Sequence, residues 1–552
     1  MNLVKLGLTG LNAAQNRLQA AGHNITNAAT PGYNRQSVLV ATAGATPTSA
    51  GYIGRGVQVV SIQRAYDGFL QNQLGSARSA GAALNAYGTE IAQINNLFAD
   101  NTVGITPALQ KFFDGIQAVA SAPADAAARQ ELLGRSASLV AQLNDANAFI
   151  EAQHSNINTQ ISTTVTQINS YVERVRDLNQ QITNARASAS GQEPNDLLDQ
   201  RDQLVVELGQ LAGTKAVEQN GKVSLTIGNG QVLLAGDTAY KLHAKVSTED
   251  PGRTVVAVTT PGPGGSKIEV EVEDRHIPGG SLGGLLAYRH DLLDSVQNEL
   301  GRLAMGLAVA INAQHVQGVD LSGNAGAEFF GLDAMTVIPS ASNSSPAMVT
   351  AELADINLLS GNDYRIERTD DGYLIARLPQ GSQIVLADTD IVGGAYTLDG
   401  VTLQFPGGAL ATGDSWLVQP TRGAAGSLTL LVDDPAAIAA AAVSTGSANG
   451  DNALSMAKIQ TDKLLGNGAM SLNEAFSQIV NKVAVQTQQN STSSKAQAIL
   501  INQTFAAQQA VSGVNINEEY VSLESFQQQF IAASRLIDVS GTLFDTLLHL
   551  RS

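Results

Sequence analysis

Seven histidines are the first residues to consider for chemistry, because an imidazole can bind a metal ion or exchange a proton near neutral pH. They are spread along the chain, and no two of them form an HExxH pair or a comparable ligand set. His154 falls on a heptad position of a predicted helix, where a hydrogen-bonded core or interface histidine is the simpler interpretation. The 552 residues include no cysteine, which excludes disulfides, thiolate metal sites and cysteine nucleophiles.

Three short motifs resemble parts of binding sites, and each has a simpler interpretation. Gly228-Asn229-Gly230 is too short for a dinucleotide loop and joins two predicted strands, so it predicts a hairpin. Segment 320–324, Asp-Leu-Ser-Gly-Asn, lacks the alternating acids and closing Glu of a calcium loop, and predicts a tight turn. Glu269, Glu271 and Glu273 alternate along a strand; a solvated sheet face is preferred, and a weak cation site is the alternative. We therefore expect no catalytic residue, cofactor site or metal site.

Composition indicates a multidomain globular protein. A chain of 552 residues with 43% hydrophobic and 15% charged residues is too long for one ordinary core and is not typical of disorder. The net charge of −17 argues against nucleic-acid binding, which needs a basic surface. Residues 1–66 contain no acidic residue and five Lys or Arg, which indicates either a targeting feature or a helix surface that meets acidic neighbours. No apolar run reaches about 18 residues, so we expect no membrane insertion.

Heptad patterns predict long helices at both ends of the chain. Apolar residues recur every seven positions in the first 28 residues, with Gly and Ala beside them, and Thr-Pro-Gly at 30–32 ends the helix. Near the other end, Asn515 can cap a helix and Glu518 can complete a capping box. Each isolated helix would bury only one stripe, so burial against other copies is favoured over an ordinary core. The predicted assembly-interface residues are Leu8, Leu11, Leu18, Ile25, Leu523, Phe526, Phe530, Ile537, Phe544 and Leu547.

Between these ends the sequence predicts a helical rod and β-rich regions. A heptad pattern over 150–182 predicts a helix of about 60 residues, and period-two alternation with hairpin turns predicts strands after residue 213 and over 335–433. The fold class is therefore multidomain α+β, with terminal helices paired in a coiled-coil-like domain and rod, and β-rich domains inserted mid-chain. The predicted units are the terminal helical assembly domain (1–64 and 514–552), the helical rod domain (65–212, 281–330 and 440–513) and the β-rich outer part (213–280 and 331–439).

Three segments resemble a known family. Segment 22–36, which contains Thr-Pro-Gly-Tyr-Asn-Arg-Gln, resembles the N-terminal motif of bacterial flagellar rod, hook and hook-associated proteins. Its last three residues, and segment 512–528 near the other end, are most similar to the hook-associated protein 1 family of the first hook–filament junction. A third match runs from 281 to 289 and again over 312–315. Residues 213–280 and 335–433 carry no such match.

The resemblance implies a structural, non-enzymatic subunit that is secreted unfolded through the flagellar type III apparatus and forms a ring at the hook–filament junction. The implied partners are further copies of the chain, the hook protein, the second junction protein and a cytoplasmic export chaperone on the C-terminal helix. Two alternatives stay open. The near one is a hook or distal-rod axial protein, and the distant one is a secreted adhesin or enzyme carried on a flagellar-type scaffold.

Overall fold

A computed structural model describes residues 3–99, 104–188, 192–261, 267–379, 381–406, 410–443 and 449–550. The helices of these ranges are α1 Leu3–Asn27, α2 Gly68–Ala99, α3 Ile105–Ser121, α4 Ala126–Ser188, α5 Asn195–Ala212, α6 Gly280–Tyr288, α7 Asp294–His315, α8 Ala424–Ser427, α9 Asp451–Lys458, α10 Leu472–Ser512 and α11 Ile516–His549. A π-helical turn, Arg289–Leu293, joins α6 to α7, and short 3-10 turns occupy Asp274–His276, Asp388–Asp390 and Pro435–Ala437.

The strands fall in three regions of the chain. The first region holds β1 Gln36–Thr42, β2 Ala45–Thr48, β3 Gly51–Gly54 and β4 Val57–Arg64. The second holds β5 Lys215–Gln219, β6 Lys222–Ile227, β7 Gln231–Ala235, β8 Thr238–Ala239, β9 Leu242–Val246, β10 Thr254–Pro261 and β11 Lys267–Val272. The third holds β12 Gly318–Val319, β13 Phe330–Gly331, β14 Thr336–Pro339, β15 Thr350–Leu353, β16 Asp363–Arg368, β17 Gly372–Leu378, β18 Gln383–Ala387, β19 Ala395–Leu398, β20 Val401–Gln404, β21 Ser415–Gln419, β22 Thr429–Leu430 and β23 Ala441–Ala442.

The two ends of the chain pack together. Helices α1 and α11 lie side by side, and their residue numbers run in opposite directions, since Arg17 contacts Gln529 while Asn24 contacts Glu519. Strands β1 and β4 form an antiparallel pair beside α1, and the β2–β3 hairpin extends it. The predicted pairing of the terminal helices is therefore confirmed.

Helix α4 is the axis of the rod, and its 63 residues span roughly 95 Å at 1.5 Å per residue. The predicted heptad residues face the core, because Ile150, Ile157, Ile161, Ile168 and Ile182 are fully buried. Helices α3, α5, α6 and α7 pack along α4, while α2 packs against α6 and α10. A single apolar core runs through these helices.

Asparagines on α4 hold the second group of strands. Asn169 donates a hydrogen bond to the carbonyl oxygen of Leu242 and accepts one from its N–H, each at 2.9 Å. Asn179 makes the same pair of bonds with Val223, and Asn158 accepts from the N–H of Thr254. A side-chain amide can bond both the N–H and the carbonyl oxygen of one residue in extended conformation. The asparagines therefore fix these strands to α4, although a helix and a strand cannot share a ladder of backbone hydrogen bonds.

The two β-rich regions belong to different cores. Apolar residues of β6, β7, β9 and β10 share the core of the rod helices. The five-stranded sheet β14-β21-β16-β17-β18 and the three-stranded sheet β15-β20-β19 enclose a separate core around Trp416, Tyr364 and Phe405, which we call the outer domain. The inserted β-rich architecture is confirmed as a fold class. The predicted division into three units stays a prediction. In the structure, the two β-rich segments that it groups together pack in different cores.

A buried ionic cluster joins the rod to the outer domain. Asp294, at the start of α7, accepts a hydrogen bond from Arg253 at 2.5 Å and lies 3.4 Å from Arg422. Arg422, which follows β21, also pairs with buried Asp363 of β16. His154 of α4 lies 3.8 Å from Asp294. The cluster therefore connects three segments of the rod, namely α4, α7 and the residue just before β10, with two segments of the outer domain.

His154 is held neutral in this cluster. Its Nε2 lies 3.1 Å from the side-chain oxygen of Gln297, which confirms the predicted hydrogen-bonded core histidine. Burial lowers the pKa of His154 to about 4; the charge of Asp294 opposes this shift, and the nearby guanidinium groups of Arg422, Arg253 and Arg289 reinforce it.

Acidification from pH 7 to pH 5 should therefore destabilise the rod. The pKa of His154 is about 4 when folded and near 6.5 when unfolded, so the unfolded chain binds the proton first and stability falls through this interval. The expected loss is about 2 kcal/mol, measured by urea unfolding followed by far-UV circular dichroism. His154→Gln should remove this loss, and His549→Gln, at the exposed end of α11, should keep it. An unchanged loss in His154→Gln would contradict the assignment.

Candidate assembly interface

The short motifs singled out in the sequence have structural roles. Residues 228–230 form the turn between β6 and β7, as predicted. The carboxylate of Asp320 accepts from the N–H groups of Ser322 and Asn324, both at 2.8 Å, and so closes the predicted tight turn. Glu269 and Glu271 are exposed on β11. Over the described ranges, no group of His, Asp or Glu is placed to hold a metal ion, and no helix is long and apolar enough to cross a membrane.

Small residues of α1 form its contact with α11. Gly7, Ala14 and Ala21, which recur at heptad spacing, are buried. A Cβ atom on Gly7 would lie 2.7 Å from Cγ1 of Ile537 and 3.1 Å from the carbonyl oxygen of Ala533. Only glycine therefore permits the observed approach of the two helices at this level.

Helix α11 begins at the predicted cap but without the predicted capping box. The side-chain oxygen of Asn515 accepts from the N–H of Asn517 at 3.1 Å. Glu518 accepts from the side-chain amide of Asn515 at 3.2 Å instead of bonding the backbone N–H of the cap residue. The N-cap prediction is confirmed and the box is wrong, because the Asn515 amide itself supplies a donor that competes for the carboxylate.

The end of α11 extends past α1. Since Gly7 lies opposite Ile537 in an antiparallel pair, residues 543–550 lie beyond Leu3, the first described residue of α1. We call residues 543–550 the C-terminal overhang. Its large apolar side chains have exposed fractions of 51% to 79%, and they are Leu543, Phe544, Leu547, Leu548 and Leu550. A helical stripe of this kind is normally buried against another surface.

A second apolar surface lies at the start of the chain. The first turns of α1 and the tip of the β2–β3 hairpin both project large side chains into solvent, and exposure reaches 81% at Tyr52. Gly56, just after this hairpin, lies against Thr9 of α1, so the two parts are neighbours. We call this surface the N-terminal edge; its exposed apolar residues are Leu3, Val4, Leu6, Leu8, Tyr52 and Ile53.

A buried polar residue, Asn24, fastens α1 to both the following strand and α11. Its amide nitrogen donates to the carbonyl oxygen of Gln36 at 2.9 Å and to Glu519 at 3.2 Å. Its oxygen accepts from the hydroxyl of Tyr33 and from the N–H of Gln36, both at 2.8 Å. Burial, reinforced by nearby carboxylates that include Glu519, raises the pKa of Tyr33, so its hydroxyl keeps the proton that it donates.

The Thr-Pro-Gly-Tyr-Asn-Arg segment also anchors the terminal helices to the rod. Asn34 donates to the carboxylate of Asp199 on α5 through its backbone at 2.9 Å and its side chain at 2.6 Å. Arg64 pairs with Asp199 at 2.8 Å. Arg35 pairs with buried Glu519 of α11 at 2.7 Å. We call Asn24, Tyr33, Asn34, Arg35, Arg64, Asp199 and Glu519 the polar hub.

Sequence reasoning did not find the polar hub. The segment around Tyr33 marks the family and the end of the first helix, and nothing in its spacing indicates which residues its side chains bind. The buried carboxylates of Asp199 and Glu519 come from distant parts of the chain. One feature of the sequence indicates such contacts: all four residues at 33–36 have side chains that can donate hydrogen bonds, which is more than a simple turn requires.

The ten predicted interface residues fall into two groups in the structure. Seven are half-buried within the chain, and they are Leu11, Leu18, Ile25, Leu523, Phe526, Phe530 and Ile537. Three are exposed: Leu8 on the N-terminal edge, and Phe544 and Leu547 on the C-terminal overhang. Their contact with other copies stays a prediction.

Comparison with known proteins identifies the family. Residues 91–330 match the model of the flagellar hook-associated protein FlgK helical domain, and residues 338–420 match the D2-like domain of flagellar hook-associated protein 1. The chain is 34% identical over 552 residues to flagellar hook-associated protein 1 of Escherichia coli strain K12, with 100% of both chains covered. The chain belongs to the flagellar hook-associated protein 1 family. Its Salmonella typhimurium member is 35% identical over 560 residues, again with 100% of both chains covered.

A solved structure of this family supports the fold. The flagellar hook junction protein FlgK from Burkholderia pseudomallei superposes with a TM-score of 0.74 at 28% identity, over 80% of this chain and 100% of that one. The resemblance inferred from the three sequence segments is thereby confirmed. The helical-domain match spans β5–β11, in agreement with the position of these strands in the core of the rod.

Proposed function

We propose that copies of this chain form a ring at the hook–filament junction by burying their terminal helices against one another. As a member of the hook-associated protein 1 family, the chain is a structural subunit of the bacterial flagellum at that junction. The observation that carries the proposed mechanism is the C-terminal overhang, whose apolar residues continue beyond the pairing of α1 with α11. A surface continuous with an existing helix pair is suited to receive a further helix or strand.

The energetics favour burial of this surface between molecules. Covering one Leu or Phe side chain contributes about 1.5–3 kcal/mol, and soluble monomers rarely leave such residues in a continuous patch. Repetition of the same contact around a ring would add these contributions at every subunit boundary. The rod and the outer domain have closed cores of their own and do not need this contact to fold.

The other partners follow from this position. The hook protein would lie on one side of the ring and the second junction protein on the other. Secretion through the flagellar type III apparatus would precede assembly, and a cytoplasmic chaperone would cover α11 until then, because its apolar residues are exposed in the single chain. In this proposal the chain has no enzymatic activity and acts through packing.

Electron microscopy of labelled flagella tests the proposed position. A tag placed in the outer domain, which lies away from the terminal helices, should appear as one band between hook and filament. A tag along the length of the hook would instead indicate an axial hook protein. A tag in the medium, with complete flagella that lack it, would contradict a role in the junction.

A further inference from the structure

Charge separates the two ends of this chain. Residues 1–66 have no acidic residue, and three of their five basic side chains are engaged within the chain. Arg17 contacts Gln529, Arg35 pairs with Glu519, and Arg64 pairs with Asp199. The remaining two, Lys5 and Arg55, form no ion pair with any residue that the structure describes. Lys5 lies in the first turns of α1 and Arg55 follows the β2–β3 hairpin, so both belong to the N-terminal edge.

Two aspartates on the last turns of α11 carry the opposite charge, and Arg535 precedes and Arg551 follows them in the sequence. Between Leu536 and Leu550 the chain has two acidic residues, Asp538 and Asp545, with one histidine and no Lys or Arg. Both aspartates are exposed, and neither forms an ion pair with another described residue. They stand beside exposed apolar side chains, since Val539 is 53% exposed and Phe544 is 64% exposed.

The basic residues of the N-terminal edge do not form ion pairs with Asp538 or Asp545 of the same chain. Gly10 lies against Ala533, and Gly56 lies against Thr9, so the hairpin is level with the middle of α11. Asp545 lies roughly 18 Å farther along that helix at 1.5 Å per residue. Lys5 and Asp538 lie at similar levels of the helix pair and still form no ion pair.

We propose that the C-terminal overhang of one copy docks on the N-terminal edge of the next copy, with Asp538 and Asp545 facing Lys5 and Arg55. This inference rests on the proposed function and names the two surfaces that would meet. Each surface joins exposed apolar side chains to unpaired charge, and the charges have opposite sign. The two copies contribute different surfaces to the contact, so each copy can make it once with each neighbour. Its repetition gives a closed ring when the rotations between successive copies add up to a full turn.

Charge reversal tests this pairing between molecules. One full-length chain carries Lys5→Glu and Arg55→Glu, and the other carries Asp538→Lys and Asp545→Lys. In cells that lack the wild-type chain, each alone should reduce swimming at least about tenfold, because like charges would face each other. Co-expression should raise swimming well above that of either chain alone. When the two chains alternate, the acidic edge of one meets the basic overhang of the other, and the unchanged acidic overhang of the first meets the unchanged basic edge of the second; a ring with an odd number of copies keeps one unfavourable contact. Asp333→Lys with Glu352→Lys, both exposed near or in the outer domain, is the matched control and should swim normally.

Two results of this experiment would overturn the inference. Normal swimming by either reversed chain alone would show that the charges are not at the contact. Failure of co-expression, when both chains are found in the culture medium, would show that they do not pair between molecules. Neither result touches the proposed function, which the Phe544→Asp variant described in the Discussion tests separately.

Cross-linking provides a second measurement that does not depend on swimming. Because the chain has no cysteine, Arg55→Cys with Asp545→Cys introduces the chain's own two thiols and no others. A mild added oxidant should join them as a disulfide between neighbouring copies in isolated flagella, which gives dimers and larger species on a non-reducing gel. Each single cysteine variant should remain a monomer. Absence of cross-linked species from flagella that contain the double variant would also overturn the inference.

Discussion

Replacing Phe544 with Asp should abolish incorporation of the chain into flagella while leaving its rod and outer domain folded. Phe544 is 64% exposed on the C-terminal overhang, so no core of the single chain loses a contact. In the proposed ring the same side chain is buried, and a carboxylate there would lose its hydration without a partner. We expect the affinity of this contact to fall at least about a hundredfold, which corresponds to about 2.7 kcal/mol or more, and swimming to be lost with it.

The matched control is Val385→Asp, because Val385 is 80% exposed on β18 of the outer domain. It introduces the same charge on an even more exposed apolar site away from the terminal helices, and swimming should be unchanged. Both variants should match wild type in two measurements. The fluorescence of Trp416, which is buried, reports the outer domain, and far-UV circular dichroism reports the helices, most of which belong to the rod. Normal swimming of the Phe544→Asp variant, with the protein present at the junction, would exclude the overhang from assembly.

Phe530 is a less informative site for this experiment, although it belongs to the same heptad stripe. Its side chain is half-buried in the single chain, so Asp at this position would also damage the pairing of α1 with α11. The sequence pattern alone does not distinguish the two positions. The overhang becomes visible only when the lengths and alignment of the two helices are known.

Long helices were predictable because their heptad patterns extend over many turns. Helix α10 occupies Leu472–Ser512, within the segment 440–513 assigned to the helical rod, and the isoleucines of α4 lie in the core as their spacing predicted. Local signals near helix ends were less secure. The capping box is found at Ser471 and Glu474, where sequence reasoning did not place one, and it is not formed at Asn515.

Polar contacts between distant segments were not predictable, because a hydrogen-bonding side chain leaves no periodic signal. Asn158, Asn169 and Asn179 bind strands that follow them by many residues, and nothing in their spacing identifies those strands. The division of the β-rich segments between two cores could not be predicted for a similar reason. Alternation in a strand reveals that one face is buried, but it does not reveal which element covers that face.

Replacing Asn24 with Leu should loosen the end of α1 from strand β1 and from α11. Asn24 is 1% exposed, and its amide satisfies four groups: the hydroxyl of Tyr33, the N–H and carbonyl of Gln36, and the carboxylate of Glu519. Leucine has a similar size but leaves these groups without this partner, and buried polar groups of this kind cost about 1–3 kcal/mol each when unpaired. We expect the local free energy of opening to fall by about 3–5 kcal/mol.

Hydrogen exchange of the full chain measures this effect where it should occur. The peptides that cover the end of α1, strand β1 and the start of α11 should lose protection, while those of α4 and the outer domain should not change. Asn16→Leu is the matched control, because the Asn16 amide bonds only the carbonyl of Asn12 in its own helix, at 2.8 Å. Protection that is equal in Asn24→Leu and wild type would mean that the polar hub does not hold the ends in place. If protection is lost as expected, Asn24 holds the end of α1 against β1 and α11, and this contact keeps the helix pair that carries the C-terminal overhang in register.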